Sequence, residues 1–200
     1  MDHASAGPDM TGTSGHMVVV VGPSGAGKDT LMAFAARHLV GRKDVVFVRR
    51  AITRDGDAGG EDHDAVSDAE FDRLAETGAF AVSWGAHGLR YGIPSSAVKQ
   101  VEDGLLVIAN GSRSALPRFK AAFRSMTVVN ITARPDVLAE RLLARGRETR
   151  EEVMRRLERG SPALDGDYDV LTIDNSGSVD EAGQAMIAAL TGCLTAPRVL

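Results

Sequence analysis

Three glycines and a lysine near the start of the chain, Gly22, Gly25, Gly27 and Lys28, are residue types that can hold an anion. They follow a run of four valines at 18–21, whose lack of polar alternation predicts a strand buried on both faces. The residues after Lys28 favour a helix, so the glycines form a tight loop that opens a helix N-terminus. Backbone N–H groups point inward in such a loop, and the helix dipole adds positive potential. The stretch therefore predicts a binding site for a phosphate group.

The spacing of these residues also matches a known motif. Gly22-x-x-x-x-Gly27-Lys28 is the phosphate-binding loop (P-loop) pattern of nucleotide triphosphatases, in which the lysine reaches the β- and γ-phosphates. The ordinary alternative is a glycine-rich turn without a ligand, but strand, loop and helix occur here in the order that the motif requires. We therefore predict a nucleoside triphosphate as a ligand and Lys28 as a catalytic residue. The predicted nucleotide-binding residues are Gly22, Pro23, Ser24, Gly25, Ala26, Gly27, Lys28, Asp29 and Thr30.

The residue after the lysine departs from that motif. A P-loop normally has Ser or Thr there, with its hydroxyl on Mg²⁺, whereas this chain has Asp29 followed by Thr30. A carboxylate is a hard oxygen ligand that suits Mg²⁺, directly or through a water, so Asp29 is the candidate metal ligand. Its negative charge could equally serve only to stabilise the helix N-terminus. The sequence leaves both interpretations open.

Composition limits the partners that this chain can have. Its 200 residues are 44% hydrophobic and 25% charged, with a net charge of −4, which predicts one globular domain without general attraction to nucleic acid or anionic membranes. No stretch approaches the roughly 18 apolar residues of a membrane span. The lone Cys193 can form no intrachain disulfide, which is typical of a cytoplasmic protein. Residues 1–16 are polar and glycine-rich, and we expect a disordered leader there.

Apolar runs and helix-forming stretches alternate along the rest of the chain. Predicted strands lie at 45–48, 80–84, 105–109, 126–132 and 168–174, and predicted helices at 94–102, 114–124, 135–145 and 179–194. The long connections in the core predict a right-handed, three-layer α/β P-loop fold with about five parallel strands. We predict one domain over residues 17–200. Its parts are a core (17–48, 94–144 and 157–195), an inserted lobe (49–93) and a lid (145–156).

Arginines follow the second predicted strand, at the edge where open α/β sheets bind ligands. Arg49, Arg50 and Arg54 could form a solvated face. Beside a phosphate-binding loop they are better interpreted as ligands for a second anionic group, because the arginine fork pairs bidentately with phosphate. Of these three arginines, we favour Arg54 as a ligand.

A second basic segment occurs late in the chain. Arg145, Arg147 and Arg156 lie in a stretch broken by Gly146, which is typical of a lid that closes arginines onto bound phosphates. We predict these three arginines as catalytic residues. The alternative is an ordinary charged helical hairpin with ion pairs between successive turns.

Together these segments resemble guanylate kinase over nearly the whole chain from Met17. The resemblance rests on the P-loop, Thr53-Arg54, Tyr91-Gly92 and Arg145-Gly146. It implies a core, a nucleotide-monophosphate lobe and a lid, with phosphoryl transfer from ATP. The acceptor site departs from that family, because Val82 and the segment Ala109-Asn110-Gly111 stand where guanylate kinases carry base-reading acids. Without those carboxylates guanine is not expected as the acceptor.

The replacements are similar to the ribose 1,5-bisphosphate phosphokinase family of bacterial phosphonate breakdown. The similar segments are 27–29, 52–55, 58–63, 83–92 and 110–113. The resemblance implies that ribose 1,5-bisphosphate accepts the γ-phosphoryl group of ATP, giving 5-phosphoribosyl 1-diphosphate. A sugar bisphosphate offers two phosphates and ring hydroxyls but no base, so its site should have arginines and neutral hydrogen-bonding groups. The predicted substrate-binding residues are Arg54, His63, Arg90, Tyr91 and Arg113.

Other interpretations remain open at this point. Tyr91 and Trp84 could be core residues of the lobe, and His87 a surface residue of a hairpin. The chain could be a nucleoside monophosphate kinase with altered base choice, or a guanylate kinase-like interaction domain that has lost ATP binding. The expected partners are ATP, Mg²⁺ and a small phosphorylated sugar, with no nucleic acid or membrane. Both a monomer and a homodimer agree with the sequence.

Overall fold

The computed structural model describes residues 15–54, 62–144, 146, 149–158, 164 and 166–195, and only the backbone of 156–158. The first elements are β1 (His16–Val21), α1 (Lys28–His38) and β2 (Val45–Phe47). The elements that follow are β3 (Ala51–Ile52), β4 (Asp64–Ala65), α2 (Asp68–Glu76), β5 (Phe80–Ala86), β6 (Leu89–Pro94), α3 (Ser96–Glu102), β7 (Leu106–Asn110), a short 3₁₀ helix (Arg113–Ala115), α4 (Leu116–Ala122), β8 (Met126–Thr132), α5 (Pro135–Ala144), α6 (Arg150–Glu158), β9 (Asp169–Asp174) and α7 (Val179–Thr195).

The larger sheet has five parallel strands in the order β2-β7-β1-β8-β9. Its central strand β1 is buried on both faces, because Val19 and Val21 pack in one core layer with Phe119, whereas Val18 and Val20 pack in the other. Alternating residues of one strand thus serve two helical layers. The predicted three-layer α/β fold with about five parallel strands is confirmed.

The smaller sheet has four strands in the order β4-β3-β6-β5 and falls within the predicted lobe. Its strands β5 and β6 form a hairpin whose two turn residues, His87 and Gly88, both have positive φ (52° and 74°). Such turns match the twist of the flanking strands. The pairing places Trp84 opposite Tyr91. The hairpin predicted around residues 85–92 is confirmed.

Several predicted boundaries were wrong. Pro94 ends β6 opposite Phe80 instead of starting a helix, because the last residue of a strand tolerates the missing N–H of proline. The helix predicted at 114–124 is a 3₁₀ turn followed by α4. His16 belongs to β1 and not to the predicted leader, since its ring nitrogens lie 2.6 Å from Ser125 Oγ and 2.8 Å from Thr127 Oγ1. Residues 1–14 lie outside the described residues.

The helices of the described ranges are not of the membrane-crossing kind. None of them combines sufficient length with sufficient apolar character to span a bilayer.

Candidate active site

The loop after β1 has the backbone shape that an anion cradle needs. Gly22, Gly25 and Gly27 have φ angles of 153°, 86° and 89°. Residues with a side chain rarely adopt such backbone angles. A Cβ on Gly22 would lie 2.2 Å from the carbonyl oxygen of Ile131, and one on Gly27 would lie 2.4 Å from Nδ2 of Asn175. Both positions therefore require glycine for space as well as for conformation.

Lys28 is the first residue of α1, and its side chain bends back over the loop. Its Nζ donates to the carbonyl oxygens of Gly22 at 2.9 Å and Pro23 at 3.2 Å. The ammonium group is half-buried and lines the cavity described below. Phosphate oxygens form stronger, charge-assisted bonds than neutral carbonyls, so a bound phosphate would compete well for this group.

Asn175, just beyond β9, supports the loop from behind. Its side chain is 1% exposed, and Nδ2 donates to the carbonyl oxygen of Ala26 at 2.7 Å. Its backbone N–H donates to the carbonyl oxygen of Thr132 at 2.8 Å, which ties the loop to β8. The sequence analysis missed this residue, although its place at the carboxyl end of a predicted strand was a usable signal.

Asp29 is held by the last residue of β7. Nδ2 of Asn110, which is 3% exposed, donates to Oδ1 of Asp29 at 2.8 Å. Asp29 is the one carboxylate among the described residues that line the cavity. The described residues contain no cluster of three or more His, Cys, Asp or Glu that could hold a metal. A single oriented carboxylate fits Mg²⁺, which is usually bound by one or two carboxylates together with substrate phosphates.

A cavity of about 840 Å³ opens above the P-loop, bounded by the hairpin, the residues after β7 and helix α5. Of the predicted site residues, those that line it are Gly22, Pro23, Ser24, Gly25, Gly27, Lys28, Asp29, Thr30, Tyr91 and Arg113. Ala26 is instead fully buried and packs in the core beneath the loop. The structure thus brings the P-loop together with two of the five predicted substrate ligands.

Arg113 projects into this cavity from the 3₁₀ helix after β7. Its Nη2 donates to Oδ1 of Asn130 at 2.9 Å, and its buried Nε has no hydrogen-bond partner in the described part of the chain. Burial lowers the pKa of Arg113 below the ordinary value of an arginine, but a guanidinium stays charged in proteins. A desolvated cation with unused donors is suited to bind an anion.

Arg50 is a cavity residue that the sequence analysis ranked below Arg54. It is 8% exposed, and its Cζ lies 4.9 Å from the ring centroid of Tyr91 and 5.6 Å from that of Trp84. The two rings stack on each other, with centroids 5.3 Å apart and planes 10° apart. The neighbouring Arg49 is exposed and forms ion pairs with Asp62 and Asp64. Adjacent residues of an extended chain point to opposite sides, which the sequence could not assign.

The other three predicted substrate ligands do not line this cavity. Nε2 of His63 donates to the carbonyl oxygen of Arg54 at 3.2 Å, and Nη2 of Arg54 lies 3.5 Å from His63 Nδ1. Arg90 lies over the ring of Phe71 and pairs with Asp72 at 2.7 Å, facing a separate depression beside α2. The geometry therefore gives no support for Arg90 as a substrate ligand, because its guanidinium is engaged on the other side of the hairpin.

The catalytic arginines predicted in the lid (145–156) fall outside the described residues, although most of its other residues are described. This applies to Arg145, Arg147 and the side chain of Arg156. Helix α6 begins in a reciprocal capping arrangement, in which Thr149 N–H donates to Oε2 of Glu152 at 2.8 Å and Glu152 N–H donates to Oγ1 of Thr149 at 3.3 Å. Hydrogen bonds from Thr149 lower the pKa of Glu152.

Fold and loop together define this protein as a member of the P-loop class with a guanylate kinase-like fold. The solved structure of guanylate kinase from Anaplasma phagocytophilum is similar to it, with a TM-score of 0.63 over 92% of this chain and 88% of that chain. At 19% sequence identity this likeness concerns the fold alone. A model of the AAA domain family matches residues 18–159.

Two proteins of similar sequence identify the family of this chain. This chain is 61% identical over 174 residues to ribose 1,5-bisphosphate phosphokinase PhnN of Agrobacterium fabrum, which covers 87% of the chain and 95% of the relative. It is 58% identical over 192 residues to the protein of the same name from Rhizobium etli, with 96% and 95% covered. The chain therefore belongs to the ribose 1,5-bisphosphate phosphokinase family.

Proposed function

We propose that this chain transfers the γ-phosphoryl group of ATP to the 1-phosphate of ribose 1,5-bisphosphate, giving 5-phosphoribosyl 1-diphosphate and ADP. The observation that carries this proposal is one cavity that holds a P-loop lysine and two further cations, Arg50 and Arg113, with a single carboxylate, Asp29. Such a site suits a substrate with several phosphates. Apart from Asp29, none of the described residues that line the cavity is an acid that could hydrogen-bond a guanine base.

The transfer is an in-line displacement at the γ-phosphorus. An oxygen of the acceptor 1-phosphate forms a bond to that phosphorus while the bond to the bridging β–γ oxygen breaks, and ADP leaves. A phosphate oxygen is already anionic, so no general base has to remove a proton. The work of the protein is positioning and charge neutralisation. Lys28 would neutralise the β- and γ-phosphates, and the N–H groups of the P-loop would hold them.

The residues around Asp29 fit Mg²⁺. Asn110 occupies Oδ1 of Asp29 through a hydrogen bond and thereby fixes the orientation of the carboxylate. Asp29 would hold the ion directly or through a water, and Thr30 lines the cavity beside it. A Mg²⁺ ion held there would supply positive charge that offsets the charge of the phosphates. Such support from a residue behind the ligand commonly strengthens metal binding.

The lobe and the lid would have separate roles in binding the two substrates. The lobe 49–93 would bind the acceptor through Tyr91, with Arg54 and His63 at the base of the lobe, and the core would contribute Arg113. The lid 145–156 would carry Arg145, Arg147 and Arg156 onto the phosphates after both substrates bind. The proposal works for a monomer and for a homodimer. We place the protein in the cytoplasm, where ATP is available.

One assay tests the function. Purified protein is incubated with ATP, Mg²⁺ and ribose 1,5-bisphosphate, and the product is identified by mass spectrometry. GMP, AMP and dGMP serve as competing acceptors in parallel reactions, and a Lys28→Ala protein controls for contaminating kinases. We expect 5-phosphoribosyl 1-diphosphate and ADP in equal amounts only with the sugar bisphosphate. Faster ADP release with a nucleotide acceptor would overturn the proposal.

A further inference from the structure

The buried Arg50 has an arrangement that suits one particular part of the acceptor. We propose that Arg50 binds the non-reacting 5-phosphate of the sugar and thereby determines acceptor specificity; this rests on the proposed function. Arg50 contributes a charged side chain that is 8% exposed to a cavity that already contains the P-loop. A buried guanidinium in such a cavity attracts a phosphate more strongly than an exposed one, because it is less screened by water.

Two aromatic rings hold the guanidinium of Arg50 by cation–π contacts. The guanidinium lies over the rings of Tyr91 and Trp84, at 4.9 and 5.6 Å from their centroids. A planar guanidinium that uses its face for aromatic contact keeps its N–H donors in the plane, at its edge. That edge can form the bidentate pair with a phosphate. The same contact covers a face of each ring, and a nucleobase would need such a face for stacking.

Sheet topology separates the roles of Arg50 and Arg113. Each lies three residues beyond the end of a parallel strand, Arg113 after β7 and Arg50 after β2. In the order β2-β7-β1, strand β7 is adjacent to the P-loop strand, whereas β2 is two strands away, or about 10 Å at the usual strand spacing. The reacting 1-phosphate must lie beside the γ-phosphate, so Arg113 suits the 1-phosphate. The more distant Arg50 suits the 5-phosphate.

Arg49 provides a matched control for Arg50. It is the adjacent residue of the same type, but its side chain is 53% exposed and forms ion pairs with Asp62 and Asp64 at 2.9 Å each. It does not line the cavity. An Arg49→Gln variant therefore removes one positive charge from the same segment without changing the proposed phosphate site.

The test uses calorimetry on the full chain with two half-substrates, ribose 5-phosphate and ribose 1-phosphate. We expect Arg50→Gln to weaken binding of ribose 5-phosphate about 10- to 100-fold, the range for loss of charge-assisted hydrogen bonds. Binding of ribose 1-phosphate and of ATP should change less than about three-fold, within the spread of a substitution that makes no contact with the ligand. The acceptor KM should rise in parallel with little change in kcat. Arg49→Gln should behave as the unsubstituted protein.

A second variant covers the possibility that Arg50→Gln does not fold. Arg50→Lys keeps the buried charge but loses the planar fork, so we expect a smaller but still selective loss of ribose 5-phosphate binding. Equal behaviour of the Arg50 and Arg49 variants, or equal weakening of both half-substrates, would overturn the assignment while leaving the proposed function intact. If the unsubstituted protein binds neither sugar phosphate and does not turn over the bisphosphate, both proposals fall.

Discussion

The two ends of the cavity are built by different means. At the P-loop end, which is the proposed nucleotide end, the backbone forms the site, and a Cβ on Gly22 or Gly27 would clash with the carbonyl oxygen of Ile131 or the side-chain amide of Asn175. At the acceptor end, side chains form the site, with Arg50 stacked on the Tyr91–Trp84 pair of the small sheet. The first end depends on the main-chain path of a buried strand. The second depends on which side chains two hairpin strands carry.

This difference explains how one fold can serve different acceptors. A backbone cradle changes only if the fold changes, whereas side chains on a small sheet can be exchanged on an unchanged scaffold. The chain shares the fold of a guanylate kinase at 19% identity, yet belongs to the ribose 1,5-bisphosphate phosphokinase family. Substitutions at the nucleotide end should therefore affect every activity of the protein, and substitutions at the acceptor end should affect one substrate.

The strongest test of this contrast is Lys28→Ala. We expect kcat to fall by about 100- to 1,000-fold or more, because a cation that stabilises transition-state charge is lost. The fold should persist, since the hydrogen bonds of Lys28 to Gly22 and Pro23 stay within its own loop. Steady-state kinetics and circular dichroism measure the two effects. Lys99→Ala removes an exposed lysine paired with Asp103 and should have no effect on kcat; near-normal turnover of Lys28→Ala would refute its assigned role.

A pair of glycine variants isolates the backbone effect. Gly27 and Gly41 have similar φ angles, 89° and 85°, but a Cβ meets Asn175 Nδ2 at 2.4 Å in the first and nothing within 4 Å in the second. Gly41→Ala should lower the free energy of unfolding by about 1–2 kcal/mol, the cost of a left-handed L-residue. Gly27→Ala should lower the free energy of unfolding by more than this and should also weaken ATP binding. Denaturant unfolding and ATP calorimetry are the measurements, and equal losses in both variants would contradict a clash at the loop.

Asp29→Asn distinguishes the two interpretations of that carboxylate. Asparagine keeps an oxygen that can accept the hydrogen bond from Asn110 but removes the charge. If Asp29 binds Mg²⁺, the Mg²⁺ concentration for half-maximal activity should rise about 10- to 100-fold. ATP binding measured without Mg²⁺ should not weaken, because a negative charge beside the phosphates is lost. A change confined to the free energy of unfolding, of about 0.5 kcal/mol, would instead indicate a helix-terminus role.

The smallest effect is expected at the start of α6. Thr149→Ala removes the hydroxyl that donates to Glu152 at 2.9 Å, so the lowered pKa of Glu152 should rise toward its ordinary value. Because that pKa is depressed in the folded protein, the stabilisation is present above the ordinary pKa of glutamate and is lost as pH falls through the lower value. An NMR titration of Glu152 in both proteins measures the shift; an unchanged pKa would exclude the hydroxyl as its cause.

The sequence predicted the P-loop end of the cavity better than the end beside the hairpin. Gly22 to Lys28 are contiguous, so the pattern itself predicted the loop, and the structure places Lys28 in the cavity. Arg50 was ranked below Arg54, and Arg90 was assigned to the substrate although it packs on Phe71. Both cases concern the side of the hairpin that each guanidinium faces. That depends on strand pairing and turn geometry, which local patterns describe poorly.

The sequence by itself determined the parts of this protein that depend on local order. An apolar strand followed by a glycine-rich loop and a helix dictates an anion cradle, because backbone geometry follows from neighbouring residues. Only the tertiary structure decided which distant side chains complete the site. Asn110 reaches Asp29 across 81 positions, and Asn175 reaches Ala26 across 149. Such contacts depend on the order of parallel strands in the sheet, because their carboxyl ends meet at one edge whatever their separation in the chain.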